Sequence, residues 1–361
     1  MMMTTLECHA DVKLRNLPAY LASIEDRLRS FQARSSKSDS RIEFAFPFGK
    51  GRFDMEPGRL RMSAQAAERE GLARVKDLLA TAVQVYAKAE SPVIRWEGDL
   101  EDETRLAPFR EMTVTGVRDL TPRMRRVRLA GEDLHRFARF GGMHVRMLLP
   151  TKAVPDPDWP TLGANGLAAW PPEDRKPTAR AYTIRRLDVA GGWMDVDFLI
   201  HEGESVGSRW ACAARAGMTV GIMGPVGRPV TMDAQWYVLG ADETGLPALS
   251  RMLETLPPAT RGIAFLEVAD EAERQAIDNR TGIELRWIFR DGIPAGRDDR
   301  LARAVLAVEW PRDVACFGWF AGEADAAALV RDTWRNERAL GRDQTLTATY
   351  WRRGASGFMA G

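Results

Sequence analysis

The 361 residues carry 51 basic and 50 acidic side chains, a formal net charge of +1. No global field therefore draws the chain to nucleic acid or to an anionic membrane. Three cysteines, Cys8, Cys212 and Cys316, lie far apart without a CxxC, and the four histidines, His9, His135, His144 and His201, lack ligand spacing. Neither a disulfide framework, a zinc site nor an iron–sulfur cluster is readable, and no intrinsic metal is expected. The start, MMMTTLECHADVKLRN, turns polar too early for a signal peptide, and no later run approaches the roughly 20 apolar residues of a spanning helix. The chain reads as soluble and cytoplasmic, and its length calls for two or three domains.

Residues 4–98 alternate strand and helix signals. TLECHADV is a strand, and PAYLASIEDRLRSF puts Leu21, Ile24, Leu28 and Phe31 on one helical face. RIEFAFPFGKGRFDMEPGRLRMSA reads as a small antiparallel sheet, and AAEREGLARVKDLLATAVQVYAKA as a long amphipathic helix. Residues 1–102 thus form an α+β module, ending in an acidic linker. From 103 to 232 six strand candidates follow: REMTVTGVRDL, MRRVRLA, HVRMLLP, RAYTIRRL, WMDVDFLIH and MTVGIMGPV. Six antiparallel strands predict a closed barrel, interrupted by one helical insert, SVGSRWACAARA, and by a Pro-rich loop over 150–179 with Trp159 and Trp170. From 233 to 361 apolar strands alternate with helices, including EAERQAI, which predicts a five-stranded parallel α/β domain. The multidomain α+β and α/β architecture leaves the cleft between barrel and α/β layer as the natural ligand site.

The charged strand RKPTARAYTIRRLD admits two readings. Period-two alternation points Arg180, Tyr182, Ile184 and Arg186 to one side, and Ala181, Thr183 and Arg185 to the other. An arginine beside a tyrosine can hold a phosphate while the ring meets a planar heterocycle, but arginines also guard edge strands. Downstream, the N–H groups of Gly207, Ser208 and Arg209 open a helix, where an anion is favoured and where a serine cap is equally ordinary. His135 and His144 read as surface or loop positions, and most of the tryptophans as core. Trp351 is set apart, because it ends the last strand beside Arg352 and Arg353.

On longer motifs the chain resembles the siderophore-interacting proteins, the vibriobactin-utilisation-like branch of the ferredoxin-reductase-type flavoproteins. RAYTIRR is similar to the family's Arg-x-Tyr-Thr flavin signature, GADETGLPALSRMLETLP to its Gly-Asp-Glu-Thr-Ala-Leu-Pro-Ala segment, and FAGEADAAALVRDTWRNERAL with YWRRG to its closing segment. Residues 4–98 resemble a small uncharacterised domain found with such proteins. The resemblance implies that Arg180, Tyr182 and Thr183 bind FAD, with Arg180 on phosphate, Tyr182 against the flavin or ribityl chain and Thr183 near the flavin N5. It also implies that His201, Gly207, Ser208 and Trp210 border the pyrophosphate, and that Asp242, Glu243 and Thr244 form the turn receiving the nicotinamide. Thr183, Asp242 and Thr244 are the expected catalytic positions. Glu202, Ser205, Val206 and Ala241 depart from the family's residues.

Donor choice stays open: Glu267 and Asp270 would bond a ribose 2′-OH and favour NADH, while Arg274 and Arg290 could accept the 2′-phosphate of NADPH. Arg186, Arg352 and Arg353 are expected to form a basic mouth for a ferric siderophore or other ferric chelate. The resulting expectation is an FAD enzyme that uses NADH or NADPH to reduce iron(III) and release it. The alternatives are a general NAD(P)H:flavin or quinone reductase of the same fold, or a non-catalytic ferric-siderophore binding protein.

Overall fold

The computed structural model describes residues 5–101, 106–139, 142–163, 167–201, 205–227, 230 and 233–355. It divides into two compact units, Met1–Phe109 with Asp156–Lys176, and Arg110–Pro155 with Pro177–Gly361. The boundaries expected at 102/103 and 232/233 touch residues outside the described set, as does Glu202.

The first unit opens with β1 (Leu6–Lys13), α1 (Leu17–Arg29), β2 (Arg34–Ser38), β3 (Arg41–Phe46), β4 (Gly49–Glu56), β5 (Arg59–Ala66), α2 (Arg69–Tyr86) and β6 (Glu97–Gly98). The strands form an antiparallel sheet in the order β2-β3-β4-β5-β1-β6. β3 shows why: Ile42, Phe44 and Phe46 are buried while Arg41, Glu43 and Ala45 face outward, the period of a half-buried strand. The apolar stripe of α2, including Leu72, Val75, Leu79 and Val83, closes the core. Gly51 lets Leu79 approach, since a Cβ there would lie 3.0 Å from its methyl carbon. β2, RSSKS, was not expected, because it carries no apolar residue to reveal its period.

The second unit begins with β7 (Phe109–Thr121), β8 (Met124–Ala130), α3 (His135–Arg139) and β9 (His144–Leu149). The chain then returns to the first unit through β10 (Thr161–Leu162) and β11 (Ala168–Ala169), a short hairpin. Leu167 packs on the first unit's core, and Trp159 meets Phe109 at 5.9 Å between ring centroids. The barrel resumes with β12 (Thr178–Asp188), β13 (Trp193–Leu199), α4 (Val206–Ala213) and β14 (Thr219–Val226), and closes in the order β12-β13-β8-β7-β14-β9. All six expected barrel strands are present. α3 is an additional helix beyond the one insert anticipated.

The α/β layer consists of β15 (Trp236–Ala241), α5 (Leu246–Thr255), β16 (Arg261–Val268), β17 (Gly282–Phe289), α6 (Arg300–Leu306), β18 (Cys316–Glu323), α7 (Ala324–Asp332) and β19 (Thr345–Trp351). The sheet is wholly parallel, in the order β17-β16-β15-β18-β19. Val238 and Phe320 pack with α6 and α7 on one face, and Leu239 and Trp319 pack with α5 on the other. The helix expected over EAERQAI is only a single 3₁₀ turn, Glu271–Glu273, capped by the Asp270 side chain on the Ala272 N–H. A segment this polar has no apolar stripe to hold a longer helix against the sheet.

Gly262 sits at φ +140°, and a Cβ there would lie 2.0 Å from the Tyr237 carbonyl oxygen on the adjacent strand. Gly262→Ala is expected to lower stability by roughly 2 kcal/mol or more. A denaturant melt with an unchanged midpoint would contradict this close approach.

Candidate functional site

The flavin-signature strand β12 pairs with β9 on one side and β13 on the other. Met147, Tyr182, Ile184 and Val196 belong to the barrel-core cluster, so this face of β12 looks inward. Tyr182 lies 4.3 Å from Phe198, which in turn lies 5.4 Å from Trp210, ring centroid to ring centroid. The Tyr182 hydroxyl abuts the first turn of α4, where a Cβ on Gly207 would fall 1.7 Å from it. Only glycine fits there. Burial pushes the Tyr182 phenol well above its usual range. Trp210 is thereby placed in the barrel core, 5 % exposed, rather than on a ligand surface.

At the start of α4 the N–H groups of Val206, Gly207 and Ser208 precede the first intrahelical bond, which runs from the Arg209 N–H to the Ser205 carbonyl at 3.1 Å. The Arg209 N–H is therefore already engaged inside the helix, and the open first turn lies one residue earlier than expected. The Ser208 hydroxyl exchanges bonds with the His201 backbone, donating to its carbonyl and accepting from its N–H, both at 3.2 Å. His201 itself is exposed. Arg180 donates to the Ala179 carbonyl at 2.7 Å and makes no ion pair among the described residues.

Alternation fails after Ile184. Ile184 opposes Val196 and Arg186 opposes Asp195, so Arg185 is an extra residue, a β-bulge. Arg186 is consequently exposed on the side away from Tyr182, not on the shared face that simple alternation predicts. Arg185 turns instead into a buried ionic network on the outer barrel wall. Its guanidinium makes a two-pronged pair with Glu254 of α5 at 2.5 and 2.6 Å, and its Nε lies 3.9 Å from Asp197. Asp197 is fully buried and takes two bonds from Arg126 at 2.6 and 2.8 Å. Arg251, also on α5, donates to the Ile184 carbonyl at 2.7 Å. The signal was legible in principle, since Arg126 and Arg128 on one strand match Asp197 and Asp195 on the next.

Thr183, 5 % exposed, opposes His144 across the β12–β9 ladder. His144 is not a surface residue: its Nε2 lies 2.6 Å from the Tyr350 hydroxyl of β19, with the rings edge to face. Burial, with Arg251 nearby, lowers its pKa to about 4, so the imidazole is neutral and the hydroxyl donates to it. This contact joins the barrel to the carboxyl end of the parallel sheet.

At that end, the turn after β15 holds Asp242 and Glu243, both nearly buried. Asp242 Oδ1 accepts from the Thr244 N–H at 2.9 Å and its hydroxyl at 2.5 Å, and Oδ2 accepts from Trp351 Nε1 at 2.7 Å. Burial and then the Glu243 charge raise the Asp242 pKa despite those bonds. Glu243 is paired through both oxygens with Arg290, whose Nη1 also lies 3.3 Å from Glu267. Glu267 and Arg290, the residues expected at a ribose and at a 2′-phosphate, are thus nearly buried and engaged with each other. Arg274 is half-exposed, 3.1 Å from Glu271. Arg353 donates to the Gly296 carbonyl at 2.6 Å, which ties its guanidinium down, and Arg352 is exposed.

Burial drives the Glu267 carboxyl from its ordinary 4.5 up to about 7, against the pull of Arg290. A raised native pKa means that the folded state binds the proton preferentially. The stabilisation this gives is complete below about 4.5 and lost as pH rises through about 7. The stability of wild type relative to Glu267→Gln is expected to fall across this window and level off above it, as read from urea melts at stepped pH. A difference that does not vary with pH would count against the assignment.

Residues 113–229 match the siderophore-interacting FAD-binding domain family, residues 234–354 the siderophore-interacting protein family, and residues 9–97 a family described as uncharacterised and conserved in bacteria, DUF2218. The ferric vibriobactin reductase ViuB of Vibrio cholerae is 32% identical over 232 residues, 63% of this chain and 84% of that protein. The NADPH-dependent ferric-chelate reductase of Escherichia coli is 32% identical over 252 residues, 67% of this chain and 92% of that protein. Among solved structures, a siderophore utilization protein from T. fusca superposes with a TM-score of 0.58 at 35% identity, covering 71% of this chain and 97% of that one. SipS, the siderophore-interacting protein from Aeromonas hydrophila, gives 0.58 at 28% identity, covering 69% and 93%. The barrel is thus an FAD-binding domain, and the chain belongs to the siderophore-interacting protein family.

Proposed function

We propose that the protein is an FAD-dependent reductase that takes hydride from NADH or NADPH and passes electrons to iron(III) held by a siderophore or similar chelate. The observation that carries this reading is the His144–Tyr350 hydrogen bond. It ties β9, at the residue opposite Thr183 of the flavin-signature strand, to the carboxyl end of the parallel sheet, the end where open α/β sheets bind nucleotides. The ferric reductases among the relatives support the choice of acceptor.

The residues suit FAD. Arg180 stands at the barrel rim without a carboxylate partner among the described residues, and the N–H groups of Val206, Gly207 and Ser208, without a backbone acceptor among the described residues, open α4 beside the Tyr182 hydroxyl. Together they form a donor set for a pyrophosphate. Thr183 and Ala181 line the outer face, where Thr183 offers a hydroxyl toward the flavin. Bound FAD supplies the conversion between a two-electron hydride and single electrons for iron. Asp242, held by Thr244 and Trp351, shapes the turn that receives the nicotinamide. Because hard oxygen ligands hold iron(III) more firmly than iron(II), reduction loosens the chelate. No acid or base is required of the protein. The exposed Arg352 and Arg186 are proposed to attract anionic chelates from solvent, each acting through its own face of the protein. The proposed compartment is the cytoplasm, where nicotinamide donors are replenished and the free cysteines stay reduced.

Anaerobic addition of NADH or NADPH to the FAD-loaded protein should bleach the flavin, and a ferric chelate should then restore its colour. A flavin that neither nucleotide bleaches would leave a non-catalytic binding protein, and one reoxidised by quinones but not by ferric chelates would leave a general reductase.

Two variants test the cofactor site by affinity alone. Arg180→Ala removes one charge-assisted contact and should weaken FAD binding by about tenfold to a hundredfold. Gly207→Ala must displace either Tyr182 or α4, and should weaken FAD at least as much, measured by flavin fluorescence quenching. Wild-type affinity in both would overturn this placement of the pyrophosphate.

A further inference from the structure

The turn Asp242–Thr244 and the strand carrying Thr183 are proposed to face the two halves of hydride transfer, and one short helix touches both. α5 begins immediately after that turn, with the Gly245 and Leu246 N–H groups donating to the Asp242 carbonyl at 3.0 and 2.9 Å. Farther along the helix, about 8 and 12 Å down its axis, Arg251 and Glu254 grip β12. Glu254 holds the bulged Arg185 through two bonds, and Arg251 holds the Ile184 carbonyl, the residue next to Thr183. The opposite side of the bulge is fixed by Asp197 and Arg126, and Ile184 is further held by its N–H donating to the Met143 carbonyl at 2.7 Å. Arg185 is 4 % exposed, so water does not weaken the pair.

Packing alone does not explain this arrangement. The apolar face of α5 already secures the helix to its own sheet through Leu246, Leu249, Met252 and Leu253. The charged residues at its end reach away from that sheet to the barrel strand, where Arg185 stands at the bulge. We infer that Glu254, Arg185 and Arg251 are positioning residues, which set the separation of the nicotinamide turn from the flavin strand through α5.

This rests on the reductase reading above, and the two can fail separately. The test uses the full-length FAD-loaded protein carrying Glu254→Gln, which keeps the side chain's shape and removes its charge. Flavin reduction by NADH or NADPH, whichever bleaches the wild type faster, should slow by at least ~10-fold, since misplacement of about 1 Å can cost a hundredfold. FAD affinity and the rate at which ferric EDTA reoxidises the dithionite-reduced protein should stay within twofold of wild type. Arg251→Lys, which retains the charge but shortens the reach to the Ile184 carbonyl, should show the same split, and it carries the test if Glu254→Gln does not fold. Unchanged flavin reduction in a folded variant overturns the inference. So does a parallel loss of FAD affinity and of both half-reactions, which would make the network general scaffolding. A wild type bleached by neither nucleotide overturns the reductase reading and this inference with it.

Discussion

The ionic network on the outer barrel wall is the interaction on which the second unit depends. Asp197, Arg126 and Arg185 are nearly or fully sealed from solvent, and each would be costly to bury alone, by several kcal/mol per ion. They are tolerable only as a set: Arg126 bonds both oxygens of Asp197, Arg185 bonds both of Glu254, and Arg185 Nε adds an ion-pair contact to Asp197 at 3.9 Å. An apolar cluster of equal volume could hold barrel and helix together as firmly. It could not fix their register, since apolar contacts slide and paired forks do not. The bulge at Arg185 adjoins the same arrangement and brings Arg186 to the outer face beside it.

Much of this architecture was written in the periodicity of the chain. The six barrel strands and the five parallel strands were readable because each buries an apolar set, and the order of motifs along 110–354 revealed the family. What escaped was whatever periodicity does not encode. β2 has no apolar residue, so it is a strand only because β3 beside it needs a partner. The bulge is invisible in sequence, as one inserted residue leaves the composition of RAYTIRRL untouched while reversing the face of Arg186. His144 looked like a loop residue because its partner, Tyr350, lies 206 positions away. Trp210 occupies the expected motif yet faces the core, since Phe198 and Tyr182 stack in front of it.

The carboxyl ends of β15, β16 and β17 show a different economy of charge. Glu243, Glu267 and Arg290 neutralise one another in near-complete burial, at the place where a sequence reading puts ribose-binding acids. Farther out stand the half-exposed Arg274 and, at the 3₁₀ turn, Asp270. The interior charges then act as a frame that keeps the strand ends apart at a constant spacing, indifferent to which nucleotide arrives.

The chain's return to the first unit through residues 156–176 has a consequence for biosynthesis and for the family's history. A ribosome releases β1 to α2 early, but Leu167, which packs on their core, emerges only after three strands of the barrel have been made. The first unit is therefore completed while most of the second has yet to be synthesised. Gene fusion at the linker alone would transfer the module without its last packing partner. The leading module is thus not a self-contained bead on the chain: part of what seals it is encoded inside the barrel, between β9 and β12.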